Sequence, residues 1–279
     1  MGDPWPALPK DGGPKHDPRL PLPRLVDVVA ALKHVVGTAV RDAARLVQPA
    51  ADVIANGVAN PPVALAALTT PRTPADAPRE ISVPYALNAR FEELRSDHLA
   101  QAQATDQFGK ERCITLVRDK ATGELVPMHE LVGTGKHCEP NLNIDTSRFD
   151  LVGSFHSHVN LKQVVPPIDP ADPALSFSGG DVVFQSQQKL PVSILQASAD
   201  KQFMLVRTEA SAVLSVEQGA AIKAEYQRQL DHVSGGGRNL QGFEYATRRL
   251  AKDMARDHGF ALYEGKNGTF TRVEPEVKD

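Results

Sequence analysis

The sequence lacks the features that mark nucleic-acid-binding and membrane proteins. The chain has 31 Lys and Arg residues and 34 Asp and Glu residues, so its net charge is -3. It therefore has no excess of positive charge with which to bind a phosphate backbone. The most apolar stretch, residues 26–40, is interrupted by Lys33 and His34 and is too short to cross a bilayer. We therefore expect no nucleic-acid partner and no membrane span.

Aromatic residues and cysteine are also scarce: aromatic residues make up 5% of the chain, and it contains two cysteines. Two cysteines without a C-x-x-C spacing cannot build the dense disulfide framework of a small secreted module. We expect a reducing compartment, with Cys113 packed in a strand and Cys138 present as a buried thiol. The first residues contain no basic segment leading into an apolar run. The expected location is cytoplasmic, or outside the cell after export by a signal-peptide-independent secretion system.

Proline, in contrast, is abundant, and its distribution divides the chain. Residues 1–23 hold seven of the 22 prolines among glycines and charges, a composition that favours a disordered tail. Apolar residues at helical spacing predict an amphipathic helix over 25–46, and the Ala- and Pro-rich residues 49–80 indicate a linker. Residues 1–80 are thus expected to form a tail, a helix and a linker, followed by a domain over 81–279.

The domain beyond residue 80 shows the alternation of short strands and helices that is typical of a mixed α/β fold. Strands are predicted over 112–118, 124–131, 149–155, 190–197 and 202–208, with a closing hairpin over 260–273. Helices are predicted over 88–103, 182–186, 216–230 and 245–257.

Residues of the types that bind metal ions are concentrated after the strand at 149–155. Because side chains alternate along a strand, His156 and His158 point to the same face and can bind one ion. With nine histidines, about 0.3 His-x-His triplets are expected by chance, so the pair needs support. Ser178 and Asp181 supply it: the carboxylate completes a ligand set that suits a catalytic zinc with an open position. A helix cap formed by the same two residues is the structural alternative, and both roles are compatible.

These residues resemble the JAMM (MPN-plus) zinc metalloprotease motif, in which an apolar strand ends in His-Ser/Thr-His and Ser-x-x-Asp opens the next helix. The sequence LVGSFHSH at 151–158 and the sequence SGGD at 178–181 match that motif, within a similar region over 85–210. Phe177 before the serine is typical of bacterial JAMM-like domains of polymorphic toxins and secreted effectors. The chain departs from the family in Val159, where many relatives have Pro, and in the long separation of the two motif halves.

The resemblance implies a fold and a zinc site. The fold is a three-layer α/β domain with a mixed β-sheet flanked by helices, with its motif core over 105–210 and C-terminal helices and a hairpin over 211–279. The implied zinc ligands are His156, His158 and Asp181. An alternative second metal site at His129, His137 and Cys138 lacks paired spacing and is not expected.

The resemblance also implies catalytic roles. The family needs a Glu on an earlier strand as general base toward the zinc-bound water. Glu111 is the expected residue, with Glu130 and Glu124 as the alternatives, and Ser178 is expected to donate a hydrogen bond to the oxyanion. The implied activity is hydrolysis of a peptide or isopeptide bond. The alternative is a metal-free JAMM-like scaffold or binding module.

The implied partners are a protein or peptide substrate, including a ubiquitin-like conjugate, as expected of a bacterial effector or toxin. A secretion chaperone or immunity protein is a candidate partner for the N-terminal region. Residues 160–175, which contain four prolines, are expected to form an inserted loop over the site that gates access or lines the substrate groove.

Overall fold

The computed structural model describes residues 61–105, 109–134, 137–159, 175–233 and 240–274. They belong to a compact unit that begins at Pro61. The tail and helix expected over residues 1–46 and the first part of the expected linker lie outside the described residues. All but the last residue of the loop expected over 160–175 lies outside them as well.

The described residues form nine strands and four α-helices. The strands are β1 (Val63–Ala64), β2 (Glu80–Ser82), β3 (Arg112–Asp119), β4 (Leu125–Val132), β5 (Phe149–Ser157), β6 (Val192–Ser198), β7 (Lys201–Val206), β8 (Ala261–Lys266) and β9 (Thr269–Arg272). The helices are α1 (Tyr85–Thr105), α2 (Gly179–Gln187), α3 (Val216–Val233) and α4 (Leu240–Asp257). Within the described ranges no helix combines the length and apolarity needed to cross a membrane.

The nine strands form one mixed sheet in the order β1-β2-β9-β8-β7-β6-β5-β3-β4. β1 pairs with β2 and β5 with β6 in parallel, and the other neighbours are antiparallel. Because β5 and β6 are parallel, the chain crosses over between them through α2. The C-terminal end of β5 and the N-terminus of α2 therefore meet at one edge of the sheet, where ligand sites of α/β folds commonly lie.

Helices cover both faces of the sheet. Side chains alternate along β7: Met204 packs in a hydrophobic cluster with Phe91 of α1, whereas Phe203 packs in a second cluster with residues of α2, α3 and α4. Phe155 of β5 faces α1, since its ring stacks on Phe91 with centroids 4.2 Å apart. The neighbouring residue His156 therefore faces the side of α2 to α4. The mixed α/β prediction is confirmed.

Residues 61–80 pack against the sheet and contribute β1 and the first residue of β2 to it, where the sequence indicated a linker. β2 pairs antiparallel with β9, and the Tyr263 hydroxyl donates a 2.7 Å hydrogen bond to the Pro78 carbonyl. The Arg272 guanidinium also donates to backbone carbonyls of this segment. Proline-rich composition suggested a linker because proline lacks an N–H. At an edge of a sheet, however, the segment needs only its carbonyls and a few N–H groups for pairing.

The two cysteines form a disulfide between Cys113 and Cys138, 25 residues apart. This corrects the expectation of a buried thiol, and the reducing compartment inferred from cysteine usage loses its basis. Their Cα atoms are 6.0 Å apart, a separation that a disulfide can span. The sequence spacing did not reveal the pairing because it depends on how the chain after β4 folds back over the start of β3.

Candidate metal centre

The end of β5 carries both histidines of the site. Ser157 points toward α1, where its hydroxyl shares a 2.8 Å hydrogen bond with His98 Nδ1. Because side chains alternate, His156 and His158 point to the other face of the sheet. The His158 N–H donates to the Gln196 carbonyl at 3.1 Å and so continues the pairing with β6 beyond the end of β5.

The N-terminus of α2 brings the third side chain to these histidines. Ser178 and Asp181 form a capping box: the Asp181 N–H donates to Ser178 Oγ at 3.3 Å, and the Ser178 N–H donates to Asp181 Oδ2 at 2.7 Å. These bonds fix the carboxylate over the end of β5. Asp181 Oδ1 lies 3.3 Å from His156 Nε2, and Oδ2 lies 3.6 Å from His158 Nε2.

The three side chains make a set that fits a metal ion. One potential ligand atom from each of His156, His158 and Asp181 lies within 4.8 Å of the others. His156 Nε2 is buried and has no hydrogen-bond partner, although Asp181 Oδ1 is 3.3 Å away. A buried nitrogen without a partner is costly, and a metal ion bound there would satisfy it. Two imidazoles and one carboxylate are the ligand types of catalytic zinc sites with an open position.

Burial and the neighbouring charges set the protonation states of the cluster, and two of its three side chains take the metal-binding form. Burial by itself would raise the pKa of Asp181, but His156, His158 and the Ser178 amide hold that pKa below its usual range. Burial lowers the pKa of His158 to about 4, against the opposing effect of Asp181. Burial also lowers the pKa of His156, but Asp181 and Glu111 outweigh it and leave that pKa above its ordinary value. At neutral pH Asp181 is an anion and His158 a neutral imidazole, the forms that bind metals.

Glu111 lies beside this cluster, immediately before β3. Cys113 is in register with His156 of β5, which brings the start of β3 next to the histidines. The Glu111 N–H donates to the Thr134 carbonyl and its carbonyl accepts the Gly133 N–H, both at 2.9 Å. Burial raises the pKa of Glu111 to about 7; His156 opposes this increase and Asp181 adds to it. The carboxyl group can therefore exchange a proton near neutral pH.

The two alternative glutamates lie elsewhere. Glu130 of β4 forms an ion pair with Arg90 on the surface. Glu124 is exposed and lies in the turn between β3 and β4, where its carbonyl accepts the Asp119 N–H. Of these three glutamates, Glu111 lines the cleft, whereas Glu124 and Glu130 do not.

The cluster opens into a cleft of about 660 Å³. Its lining includes the five residues expected at the site: Glu111, His156, His158, Ser178 and Asp181. One wall is the segment His137–Pro140, which the disulfide attaches to β3. Within this wall His137 pairs with Glu139 at 2.9 Å, and the three residues considered for a second metal site form no such group in the described structure.

Two parts of the site were not evident from the sequence. Lys223, Tyr226 and Gln227 of α3 line the cleft, although α3 is about 40 residues beyond the motif. His98 of α1, which contacts Ser157, is fully buried. A signal for His98 was available, because it follows Phe91 and Leu94 at helical spacing and so belongs to the buried face of α1.

No protein-family model, curated protein or solved structure matches the chain. The interpretation of the cleft therefore depends on its own residues and on the motif that they form.

Proposed function

We propose that the protein is a zinc-dependent hydrolase of JAMM type that cleaves a peptide or isopeptide bond. The observation that carries the proposal is the convergence of His156, His158 and Asp181 within 4.8 Å, in a cleft that also holds Glu111. Two imidazoles and a carboxylate with an open position, beside a carboxyl group suited to proton transfer, are the parts that zinc hydrolases use.

His156 Nε2, His158 and the Asp181 carboxylate would hold the ion. When bound, zinc supplies a lowered pKa for a coordinated water and polarisation of the substrate carbonyl. The capping box holds the Asp181 carboxylate in one orientation, so this ligand is fixed before any ion binds. The buried His156 Nε2, which has no hydrogen-bond partner, supports the assignment of His156 as a metal ligand.

Glu111 and Ser178 would supply the proton transfer and the hydrogen bond. The Glu111 carboxylate accepts a proton from the attacking water and passes it to the leaving amine, for which a pKa near neutrality is suited. Ser178 Oγ accepts the Asp181 N–H, so its own proton remains available for the oxyanion that develops on the substrate.

The class of substrate follows from the resemblance and is compatible with the cleft. A cleft of about 660 Å³ with polar walls accommodates a segment of polypeptide. The proposed three-layer JAMM arrangement is supported by the helices on both faces of the mixed sheet. The proposal includes ubiquitin-like conjugates among the substrates and an effector role for the protein.

The metal-free binding module is the second candidate. It is favoured by the 3.3 Å distance between His156 Nε2 and Asp181 Oδ1, because a charge pair of this kind can be stable without a bound ion. The two candidates differ in zinc content and in cleavage, and both quantities can be measured.

Zinc per chain, measured by elemental analysis of protein prepared with ample zinc, is the first test. We expect about one zinc per chain, lost in His156→Ala and in Asp181→Ala. His137→Ala is the matched control, since His137 lines the same cleft and pairs with Glu139 instead. A folded wild type without zinc rejects the proposal in favour of the metal-free module. A screen of peptides and ubiquitin-like conjugates then tests cleavage.

A further inference from the structure

We infer that His98 and Ser157 are positioning residues of the metal centre: from the reverse face of the sheet, they hold the two ligand histidines and Glu111 at a fixed spacing. The inference rests on the proposed zinc site, because it explains how that site is kept in place. Neither residue faces the cleft, so neither would touch zinc or substrate.

Ser157 connects the three elements that build the site. It lies between His156 and His158, and it is fully buried. Its Oγ accepts the Arg112 N–H at 3.1 Å and shares a 2.8 Å hydrogen bond with His98 Nδ1. Arg112 directly follows Glu111. One hydroxyl therefore joins the ligand strand β5, the helix α1 and the backbone beside the proposed base.

His98 reaches the segment before Glu111 by a second route. A Cβ atom built at Gly109 would lie 2.8 Å from His98 Cδ2, so the chain passes directly against the imidazole. Gly109 has φ of +66°, a conformation that favours glycine and turns the chain toward Glu111. The His98 ring thus contacts both the serine between the ligands and the segment that leads to the base.

Packing of α1 continues on the far side of His158. Val159, the residue after this ligand, packs in a small buried cluster with Ala102 and Leu99 of α1. Ser157 and Val159 therefore both face α1, on the two sides of His158. Rotation of the ligand backbone would break a buried hydrogen bond on one side and an apolar contact on the other, which is how outer residues orient metal ligands.

The test removes the polar contact from either partner and measures zinc affinity by competition with a chromophoric chelator. Ser157→Ala and His98→Leu are expected to weaken zinc binding about 10- to 100-fold. His98→Asn has nearly the shape of Leu but keeps a polar atom near the position of Nδ1, so it is expected to recover most of the affinity. The visible absorption of the cobalt-substituted protein should change in the first two variants and return in His98→Asn.

Ser211→Ala is the matched control for a general loss of stability. Ser211 is also buried, its Oγ accepts the Thr208 N–H at 2.9 Å, and the hydroxyl donates to the Gly259 carbonyl at 2.8 Å. The Ser211→Ala variant is expected to lower the melting temperature without changing zinc affinity or the cobalt spectrum. Wild-type zinc affinity in both Ser157→Ala and His98→Leu overturns the positioning role and leaves the proposed function standing. A wild type that binds no zinc overturns the proposed function and this inference with it.

Discussion

Glu111 is the residue at which burial and chemistry conflict most directly. Removal of a carboxyl group from water disfavours its charged form, which is why the pKa of Glu111 rises to about 7 although the charge of His156 opposes the rise. Folding would be favoured by a neutral side chain there. Carboxyl groups whose pKa is displaced toward neutrality, and which lie in a cleft beside other titratable groups, are typical of proton-transfer sites.

Glu111→Gln is expected to retain zinc and to lower turnover about 10²- to 10⁴-fold, since Gln preserves the shape but cannot accept the proton. Elemental analysis and steady-state cleavage kinetics measure the two effects separately. Glu130→Gln is the matched control and should keep wild-type activity, because Glu130 pairs with Arg90 on the surface. A fully active Glu111→Gln with an inactive Glu130→Gln would transfer the role of base to Glu130.

The raised pKa of Glu111 also predicts a pH dependence of stability in zinc-chelated protein. The folded state keeps the Glu111 proton up to about pH 7, whereas the unfolded chain releases it near the ordinary glutamate pKa of 4.5. The folded state therefore binds more protons in this window, and the free energy of unfolding falls as the pH rises through it. Relative to Glu111→Gln, which does not titrate, the wild type should lose about 1–3 kcal/mol between pH 4.5 and pH 8. Denaturant titrations at several pH values measure the difference, and parallel profiles would contradict it.

At the scale of elements, the site depends on three segments that are brought together by different interactions. The β5–α2–β6 crossover sets the ligand end of β5 beside the N-terminus of α2, and the capping box orients Asp181. Register with β5 places Glu111 at the start of β3. The Cys113–Cys138 disulfide attaches the cleft wall at 137–140 to β3. The ligands and the wall are therefore held by different interactions.

Reduction of the disulfide is expected to lower the free energy of unfolding by about 3 kcal/mol, since the bond closes a loop of 25 residues. Denaturant unfolding with and without a phosphine reductant measures the effect. Zinc affinity should change little, because the ligands lie on β5 and α2. The double variant Cys113→Ala, Cys138→Ala is the control, and its stability should not respond to the reductant. A wild type whose stability is equally insensitive would show that the bond does not form in solution.

At the scale of the whole molecule, residues 61–80 complete one side of the sheet. Leu65 and Ala77 are buried in the same cluster as Phe91 of α1 and Phe270 of β9. β2 also covers the edge of β9, which would otherwise be open to pairing with another chain. The compact unit therefore begins at Pro61, and a boundary near residue 80 would cut through its core.

We expect the full chain and a fragment over 61–279 to unfold cooperatively, whereas a fragment over 81–279 is not expected to do so. The shorter fragment loses the burial of Leu65, and deleting one buried leucine side chain typically costs about 2–5 kcal/mol. It also exposes β9 and leaves Arg272 without its carbonyl partners. Calorimetry and size-exclusion chromatography of both fragments measure the outcome. Equal melting temperatures would contradict the assignment of residues 61–80 to the core.

Local interactions explain what could be predicted from the sequence. Each strand and helix expected between residues 88 and 273 is present, because strand and helix periodicity follow from side-chain alternation within one segment. The common face of His156 and His158 follows from the same alternation. The cap formed by Ser178 and Asp181 follows from hydrogen bonds over three residues.

The remaining features depend on contacts between residues far apart in the chain. The pairing of Cys113 with Cys138 and the packing of residues 61–80 on β9 have no local signature. Helical spacing indicates that His98 is buried, but it does not identify Ser157 as its partner. The resemblance favoured Glu111 and left Glu130 and Glu124 as alternatives, and the register of β3 with β5 puts Glu111 beside His156. Periodicity determines which face a side chain takes. The pairing of distant strands and helices, driven by burial of apolar surface, determines which side chains share that face.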